Sequence, residues 1–461
     1  MASVQIHDKP YRPDSQDYFL RLQHLRGAVW LDSGATRSYN SRYDILTAWP
    51  REQVLANTDS TGRDICEIQH RDGRRELSPL SALQYLELRL SQLEFTATAT
   101  ADCPFVGGAI GYLGYESFHP SFALENRIDL LPSSYFGLYD WALVQDHVAQ
   151  RSFLCVLGTC PREIIDEIEC LLVSAPPPPD TFSCGQLRPD ITPEAYTAAV
   201  KKIQAYIHAG DCYQVNFTQR FTGDFSGSTS AAYLQLRNAL PSPFSAYLNT
   251  PAGTILSLSP ERFIELDNGR VKTQPIKGTA PRGRSAEEDE LLARELQQSE
   301  KNRAENVMIV DLLRNDLSKV SQPFTVQVPE LFGLQTFANV HHLVSTVTGL
   351  LRPGLKALDL LKASFPGGSI TGAPKKRAME IIDELEQHPR GIYCGSIFYI
   401  SLNGRMDSNI AIRTLLHTDS KIYCWGGGGI VADSDPAMEY QESLHKVGLL
   451  LETLHPEQSA K

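Results

Sequence analysis

A short stretch rich in proline and glycine constrains the fold of this chain more than any other. It runs from Thr273 to Gly283 and reads TQPIKGTAPRG. Proline lacks a backbone donor and glycine favours turns, so the stretch predicts a shaped loop and excludes a helix or a central strand. Lys277 stands between Ile276 and Gly278, and a lysine among such neighbours can lose its proton and act as a nucleophile or base. A solvated surface lysine is the alternative.

The composition is that of a globular enzyme. The chain has 461 residues, of which 42% are hydrophobic and 21% are charged. This length accommodates two or three domains, or one large core with a smaller subdomain. No apolar run is long enough to span a membrane, and the first residues lack the pattern of a signal peptide. These features favour a cytoplasmic protein that does not enter a membrane.

Charge and cysteine content argue against two further classes. The net charge is −11 and no long basic run is present, which argues against a nucleic-acid surface. Nine scattered cysteines without CxxC spacing favour free thiols over a disulfide framework or a zinc site. An anionic substrate would need local cations or a metal against this acidic background.

A run of four prolines divides the chain. It lies within residues 174–189, which predict an extended linker because consecutive prolines favour polyproline II and cannot lie inside a helix. We assign residues 1–173 to an N-terminal subdomain of mixed α/β pattern, 190–455 to a larger domain and 456–461 to a tail.

The larger domain reads as alternating helices and strands. Thr192 followed by Pro193 predicts its first helix start. Residues 255–266 predict one strand region, and 287–317 predict a long helical region that breaks near Arg314. The last helix is predicted from Pro436 to about Leu454.

Two predicted helices each carry a pair of oxygen-bearing side chains three residues apart. Asn302 and Glu305 form one pair, and Glu439 and Glu442 form the other. Residues three apart share a helix face, and two such faces together would make a site suited to Mg²⁺, completed by water and substrate. Surface ion pairing, for example of Glu442 with Lys446, is the alternative.

Two glycine-rich segments indicate anion binding. Residues 365–375 lead into a helix, and backbone N–H groups at a helix start bind anions. This segment is not a nucleotide-binding P-loop, because Ala373 stands where that motif needs lysine. Gly426 to Gly429 follow a predicted strand, 421–425, and four glycines can form a nest of N–H donors. Together with Arg413 they favour a carboxylate site, and flexible turns are the alternative.

Several segments, in the same order along the chain, resemble those of one known family. The chain is similar to the chorismate-utilising enzymes, which include anthranilate synthase component I, aminodeoxychorismate synthase component I, isochorismate synthase and salicylate synthase. The matches cover most of residues 190–450, and a looser match lies at Gly107 to Glu116. The matching segments are Ser259–Glu261, Pro275–Gly283, Arg303–Asp316, Phe365–Lys375 and Gly428–Ser434.

The resemblance implies both a fold and a reaction. The fold would be α+β, with two α/β subdomains that form a large antiparallel β-sandwich with outer helices, as in anthranilate synthase component I. Lys277 resembles the branch that aminates chorismate at C4, since anthranilate synthases carry alanine there. Gln214 stands where isochorismate and salicylate synthases keep a water-activating lysine. The implied product of chorismate and ammonia is 4-amino-4-deoxychorismate, for 4-aminobenzoate and folate synthesis.

The resemblance also implies a role for each site residue. Lys277 would attack C2 of the ring as the C4 hydroxyl leaves, and ammonia would then add at C4 and displace the lysine. Glu261 would protonate the hydroxyl, which requires a carboxyl that stays protonated near neutral pH. Glu305 and Glu442 would bind Mg²⁺, with Glu439 bound through water. The implied substrate-binding residues are Gln214, Thr279, His342, Ser369, Tyr393, Arg413, Gly427, Gly428, Gly429 and Lys446.

One residue departs from the family pattern, and one activity is missing from the sequence. Asn302 stands where relatives carry an acidic residue, which removes a negative charge and predicts weaker Mg²⁺ binding. None of the nine cysteines lies in the Gly-x-Cys-x-Gly elbow of a glutamine amidotransferase. The resemblance therefore implies a separate glutaminase subunit, in a heterodimer, that delivers ammonia.

A further pocket and two alternative functions complete the expectations. Relatives bind tryptophan in the N-terminal half, and Ser33, Pro243 and Phe244 resemble that pocket, although ordinary core packing of Phe244 is the alternative. An anthranilate synthase is the first alternative function, and Lys277 argues against it because an amine there would trap the ring at C2. A non-catalytic amino-acid-binding subunit is the second. The retained residues that argue against it are Glu261, Lys277, Glu305, Arg413 and Glu442.

Overall fold

Two antiparallel sheets of 13 and 12 strands form the framework of the described residues. The computed structural model describes residues 3–34, 41–58, 64–93, 103–117, 130–337 and 340–455, so the predicted tail 456–461 lies outside the described residues. Side chains from both sheets meet in one large hydrophobic cluster. The expected antiparallel β-sandwich is therefore confirmed.

The strands and helices follow one another along the whole chain. The strands are β1 (Val4–Lys9), β2 (Val29–Asp32), β3 (Tyr43–Thr47), β4 (Glu52–Thr58), β5 (Asp64–His70), β6 (Arg75–Ser78), β7 (Gly108–Leu113), β8 (Ser134–Tyr139), β9 (Trp141–Asp146), β10 (Arg151–Leu157), β11 (Phe182–Cys184), β12 (Arg188–Pro189), β13 (Gln214–Gly227), β14 (Phe244–Thr250), β15 (Gly253–Ser259), β16 (Arg262–Asp267), β17 (Arg270–Gln274), β18 (Ile276–Pro281), β19 (Gln327–Thr336), β20 (Val340–Leu350), β21 (Gly372–Ala373), β22 (Ser396–Ser401), β23 (Met406–Asn409), β24 (Thr414–Thr418) and β25 (Lys421–Ile430). The helices are α1 (Gln16–Leu22), α2 (Ala82–Gln92), α3 (Arg162–Val173), α4 (Pro193–His208), α5 (Thr229–Ala239), α6 (Ala286–Gln298), α7 (Glu300–Ser318), α8 (Ala357–Ser364), α9 (Lys375–Leu385) and α10 (Pro436–Leu454), with a 3-10 turn at Gly368–Ile370.

Each sheet contains strands from both the N-terminal and the C-terminal part of the chain. The first sheet has the order β1-β10-β9-β3-β2-β14-β15-β24-β25-β13-β11, with β12 and β21 also paired to β13. The second has the order β18-β20-β17-β16-β23-β22-β7-β8-β4-β5-β6, with β19 also paired to β20. The proline-rich linker itself contributes β11 and β12. Residues 174–189 thus separate two chain segments but not two sheets.

Adjacent residues of the first sheet face different cores. Val29 and Ile45 belong to the cluster that joins the two sheets, whereas Trp30 and Leu46 belong to a second cluster. Side chains from α1, α3, α5 and α10 cover this second face. The alternation follows from strand geometry, in which successive side chains point to opposite faces.

Both predicted helix starts in the larger domain are confirmed. Thr192 Oγ1 accepts a hydrogen bond from the N–H of Ala195 at 3.2 Å, and Pro193 is the first residue of α4. Asp435 Oδ1 accepts from the N–H of Ala437 and Met438, each at 2.9 Å, at the start of α10. These side chains satisfy donors that have no partner inside the helix.

The predicted strand region 255–266 is wrong as a single element. β15 ends at Ser259 in the first sheet, and β16 begins at Arg262 in the second. Pro260 has no N–H for a ladder, and the chain crosses between the sheets at this point. Ser259 Oγ donates to Ile410 O at 2.6 Å, which ties down the crossover. Glu261 therefore lies where one sheet leads into the other.

The predicted break near Arg314 is also wrong. The helical region is interrupted at Ser299, which ends α6 and caps α7 by accepting from the N–H of Asn302 at 3.3 Å. A serine at this position favours a helix start. The helix continues through Asp316, whose carboxylate accepts from Lys375 Nζ at 2.6 Å.

The stretch from Thr273 to Gly283 is a strand segment rather than the predicted loop. β17 and β18 both pair with β20, and the register shifts between Ile276 and Thr279. Gly278 lies in this break with φ +97°, a conformation that favours glycine. Among the described residues β18 pairs with one strand only, so it is an edge strand. Edge strands tolerate proline because one side of the strand needs no backbone partner.

The four glycines 426–429 do not form the predicted loop. They lie inside β25 and are paired with residues 216–219 of β13. A Cβ at Gly427 would lie 2.1 Å from Phe217 O, so the two strands approach too closely for a side chain. The glycines therefore allow close strand packing, and their predicted position in a loop is wrong.

Candidate active site

Three segments that are distant in sequence meet at Ser369. Lys277 Nζ, from β18, donates to Ser369 O at 3.0 Å. The Ser369 hydroxyl and the backbone N–H of Ile276 both act to lower the pKa of the Glu261 carboxyl. Ser369 thus links the predicted nucleophile and the predicted acid, both placed by the β18 break and the crossover between the sheets.

Burial changes the acidity of both groups in the direction that the predicted chemistry needs. Glu261 is 5% exposed, and burial raises its pKa to about 7, although Ser369 and Lys277 oppose the shift. Burial lowers the pKa of Lys277, although the carboxylates of Glu261 and Glu305 oppose it. A buried site disfavours the charged form of each group. Burial therefore shifts both groups toward their uncharged forms.

Two further predicted residues lie beside the lysine. Thr279 Oγ1 and His342 Nδ1 form a hydrogen bond of 2.8 Å across β18 and β20. Burial, with Arg413 nearby, lowers the pKa of His342 to about 4, so its ring is neutral at pH 7. A neutral imidazole has one donor and one acceptor nitrogen, and Nδ1 of His342 is already paired with Thr279.

Arg413 is an available cation. Within the described residues its side chain makes no hydrogen bond or ion pair, although it is only partly exposed. Burial lowers its pKa, but a guanidinium remains charged at neutral pH. A partly buried cation without a partner is a suitable site for a substrate carboxylate.

The carboxylates of α10 converge on β25. A Cβ at Gly428 would lie 3.1 Å from Glu439 Oε2 and 3.3 Å from Glu442 Oε1. Burial, with the charge of Glu442, raises the pKa of Glu439, although Ser434 opposes the shift. Burial also acts to raise the pKa of Glu442, but Lys446 outweighs it and lowers the pKa. Gly428 leaves room for two carboxylates beside one another.

Lys446 lies between the carboxylates and the glycine strand. Its Nζ forms an ion pair with Glu442 Oε1 at 2.6 Å and donates to Gly427 O at 2.9 Å. The surface ion pair considered for this helix is therefore present. Lys446 nevertheless belongs to the site, because its charge also acts to lower the pKa of Lys277.

The second pair of oxygen-bearing side chains approaches from α7. A Cβ at Gly278, next to Lys277, would lie 3.1 Å from Asn302 Cγ. Glu305 is half-buried, and its charge acts on Lys277. Residues of α7 and α10 thus face the lysine from two helices, as their three-residue spacing predicts.

The donor set fits Mg²⁺. Within the described residues no group of three His, Cys, Asp or Glu side chains is close enough to hold a metal ion by itself. Mg²⁺ usually keeps several waters and binds one or two carboxylates together with substrate. The paired carboxylates of Glu439 and Glu442 over Gly428 meet that requirement. Asn302 contributes an amide in place of a charge.

The remaining predicted residues line the glycine strand. Gln214 is fully buried beside Gly429, and neither polar atom of its side chain has a partner within the described part of the chain. Tyr393 is buried and stacks on Trp425, with ring centroids 5.9 Å apart. An unpartnered buried amide is costly unless a ligand or water satisfies it.

The residues of the predicted tryptophan pocket lie near one another. Pro243 and Phe244 line a cavity of about 660 Å³ between the two sheets. Ser33 lies beside it rather than in its lining, and its Oγ donates to Asp44 Oδ1 at 2.6 Å. Gly34 packs on the backbone of Ser242, where a Cβ would lie 2.5 Å from the carbonyl oxygen.

Three contributors to the site were missed by sequence reasoning. Trp425 stacks on Tyr393, Ser434 Oγ donates to Glu439 Oε1 at 2.7 Å, and Lys301 acts on the pKa of Glu439 and Glu442. Ser434 precedes a helix start, which is a usual place for a side chain that binds the first turn. No sequence signal marks the other two, because their partners come from distant elements.

Comparison with known proteins places the chain in a family. The family model of chorismate binding enzymes matches residues 34–452. The chain belongs to the chorismate-binding enzymes. This confirms the resemblance given by the motifs of residues 259–434 in the chain.

The similar members of this family carry two different enzyme names. Aminodeoxychorismate synthase component 1 of Klebsiella aerogenes is 43% identical over 98% of this chain and 100% of that protein. The Escherichia coli (strain K12) protein of the same name is 44% identical over 96% of this chain and 97% of its own length. Anthranilate synthase component 1 of Aquifex aeolicus is 45% identical over 58% of this chain and 54% of that protein.

A solved structure shares the fold of this chorismate-binding enzyme. The crystal structure of anthranilate synthase component I from Streptococcus pneumoniae TIGR4 superposes with a TM-score of 0.76 at 31% identity, over 90% of this chain and 93% of that one. No helix among the described residues has the length and apolar character that a membrane span requires.

Proposed function

We propose that this enzyme converts chorismate and ammonia to 4-amino-4-deoxychorismate, as an aminodeoxychorismate synthase component 1. The observation that carries the proposal is the position of Lys277, whose amine contacts the Ser369 turn and whose pKa is lowered by burial. The relatives that match nearly the full length of the chain bear that enzyme's name. A nucleophilic lysine is the feature that separates amination at C4 from amination at C2.

The substrate carries two carboxylates, and the site offers a separate partner for each. We assign the enolpyruvyl carboxylate to Arg413, which has no other ion-pair partner among the described residues. Tyr393 and the glycines 427–429 would lie along the same group. His342, Thr279 and Ser369 would line the ring. Gly428 supports this, because the absence of a side chain there leaves room between β25 and the carboxylates of Glu439 and Glu442.

The reaction then follows from the two shifted groups. Neutral Lys277 forms a bond to C2, the ring double bonds move, and the C4–O bond breaks while Glu261 gives its proton to the leaving hydroxyl, which departs as water. Ammonia next bonds to C4, the C2–N bond breaks, and the released proton returns to Glu261. A general acid with a pKa near the working pH suits this transfer. The pKa of about 7 for Glu261 satisfies that condition.

Glu305, Glu439 and Glu442 would hold Mg²⁺, which when bound supplies positive charge for the ring carboxylate. Asn302 would stand at the edge of this set. The residues themselves orient the substrate, since the carboxylates of α7 and α10 approach Lys277 from two helices. Gln214 would donate or accept a hydrogen bond at the nucleophile's side of the ring.

Ammonia would come from a separate glutamine amidotransferase subunit. The relatives' names designate a component 1, which supports a second component. The chain's nine cysteines lack the amidotransferase elbow. Free ammonium should replace the partner in a purified system.

A product assay tests the function directly. The protein is incubated with chorismate, Mg²⁺ and ammonium, and the products are separated and identified by mass and fluorescence. We expect 4-amino-4-deoxychorismate. Anthranilate as the main product would instead establish the anthranilate synthase alternative, and no turnover would favour a non-catalytic subunit.

We also propose that the cavity beside Pro243 and Phe244 binds tryptophan. The cavity of about 660 Å³ is large enough for an amino acid. Arg262 lies over the ring of Phe244 at 4.9 Å, and it pairs with Asp407 at the cavity wall. Calorimetric titration with tryptophan, and with a Phe244→Ala variant as control, tests this assignment. Equal heats for the two proteins would argue against it.

A further inference from the structure

A buried arginine outside the predicted site connects the segments that form it. Arg390 is 1% exposed and lies in the turn before Tyr393. Its Nε and Nη2 donate to the two carboxylate oxygens of Glu386, at 2.9 and 2.7 Å. Its guanidinium lies 4.5 Å from the centre of the Tyr115 ring. Burying such a pair is costly, so the ion pair is by itself weak evidence for a contribution to stability.

The other donors of Arg390 reach two segments of the cleft. Nη1 donates to Ile370 O at 2.8 Å, directly after Ser369. Nη2 donates to Asn216 O at 2.8 Å, on the strand that begins with Gln214. One rigid guanidinium therefore spans the Ser369 turn and the first residues of β13. Its planar fork has donors in fixed directions, which a lysine cannot reproduce.

The partners of Arg390 are held in turn. Glu386 accepts from the N–H and the Oγ1 of Thr218, each at 2.9 Å. The backbone N–H of Arg390 donates to Glu116 Oε1 at 2.8 Å, in the N-terminal part of the chain. Tyr393 N donates to Arg390 O at 3.0 Å. The network thus joins the turn of Tyr393, the Ser369 turn, β13 and residues 115–116.

We propose that Arg390 is a positioning residue, which sets the Ser369 turn against Lys277 and Glu261 by bonding Ile370 and Asn216 at once. It touches neither substrate nor reacting atoms, and it acts through Ser369, whose carbonyl accepts a hydrogen bond from Lys277 Nζ at 3.0 Å. The inference rests on the proposed function, because it assigns Lys277 and Glu261 to the chemistry.

The test separates positioning from stability with two lysine variants. Arg390→Lys keeps the charge beside Glu386 but cannot bond Ile370 O and Asn216 O together. A displacement of about 1 Å at reacting groups lowers rates by about 100-fold, so we expect kcat to fall by about that factor with KM within about threefold. Arg89→Lys is the control. Arg89, in helix α2, likewise donates two hydrogen bonds to the carboxylate oxygens of one residue, Glu52, at 2.9 and 2.5 Å.

Each outcome decides the inference. An unchanged kcat in folded Arg390→Lys, or an equal loss in Arg89→Lys, overturns it. Should Arg390→Lys fail to fold, Thr218→Val decides: it deletes one hydrogen bond to Glu386, and we expect a kcat reduced by about tenfold with a melting temperature near that of the wild type. An unchanged kcat there also overturns it. A wild type that forms anthranilate refutes the proposed function but leaves the kcat comparison intact.

Discussion

Replacing Glu261 by glutamine should change the pH dependence of stability in a defined direction. The folded-state pKa of Glu261 is about 7, against a usual 4.5. The folded protein therefore holds this proton more tightly than the unfolded chain. The stability that results is complete below pH 4.5 and is lost as the pH rises through 7. At about 1.4 kcal/mol per pH unit, the loss amounts to ~3 kcal/mol.

Glutamine does not titrate, so Glu261→Gln escapes this loss. We expect the free energy of unfolding of the variant, relative to the wild type, to rise by ~3 kcal/mol between about pH 4.5 and pH 8. Urea unfolding curves across that range measure the difference. The same variant should lose about 100-fold or more in kcat, because the general acid is gone. A variant that is more stable at pH 8 but inactive would indicate that the wild type keeps the unfavourable buried carboxyl group because catalysis needs it.

Asp146→Asn provides a control of the opposite sign. Burial acts to raise the pKa of Asp146, but Arg42 and two backbone N–H groups lower it below its usual value. The contribution of Asp146 to folding stability is present above the pKa that this residue has in the unfolded chain, and it is lost only as the pH falls. The difference between this variant and the wild type should stay constant between about pH 5 and pH 8. A Glu261→Gln difference that is equally flat would refute the raised pKa.

Three further outcomes are expected. Lys277→Met should abolish 4-amino-4-deoxychorismate formation in the product assay while the protein still binds chorismate; a variant that keeps full activity would show that no covalent lysine step occurs. Glu442→Gln should raise the Mg²⁺ concentration for half-maximal activity by about tenfold, seen by metal titration, with Glu452→Gln on the same helix as control. Ser369→Ala removes a hydroxyl that lowers the pKa of Glu261, so the limb of the pH–rate profile set by Glu261 should move to higher pH; an unmoved limb would contradict this effect.

Sequence reasoning was most reliable where the signal is local. Thr192 with Pro193, and Asp435 with Pro436, marked helix starts because a cap and its helix are adjacent in the chain. The pairing of Glu439 with Glu442 was equally local, since a helix places residues three apart on one face. The match of short motifs to a family then supplied the fold and the reaction.

Sequence reasoning failed where the structure of a segment depends on contacts with distant parts of the chain. The glycines of β25 read as a loop, but β13 pairs with them, and no local property of four glycines reveals a neighbouring strand. Residues 255–266 read as one strand region because the sequence of a strand does not show which sheet the strand enters. The break in the helical region was placed near Arg314, where polar residues cluster, although a serine cap at 299 ends one helix and starts the next.

The sequence alone determined which chemical groups this protein brings to its cleft: a lysine in a proline–glycine stretch, oxygen-bearing side chains paired on two helices, and an arginine near a glycine-rich segment. Only the tertiary structure decided their state. Lys277 and Glu261 have shifted pKa values because distant segments of the chain bury them, and for Glu261 this burial outweighs the opposing effect of Ser369. Desolvation depends on the whole surrounding fold, and it is therefore not written in any short stretch of the chain.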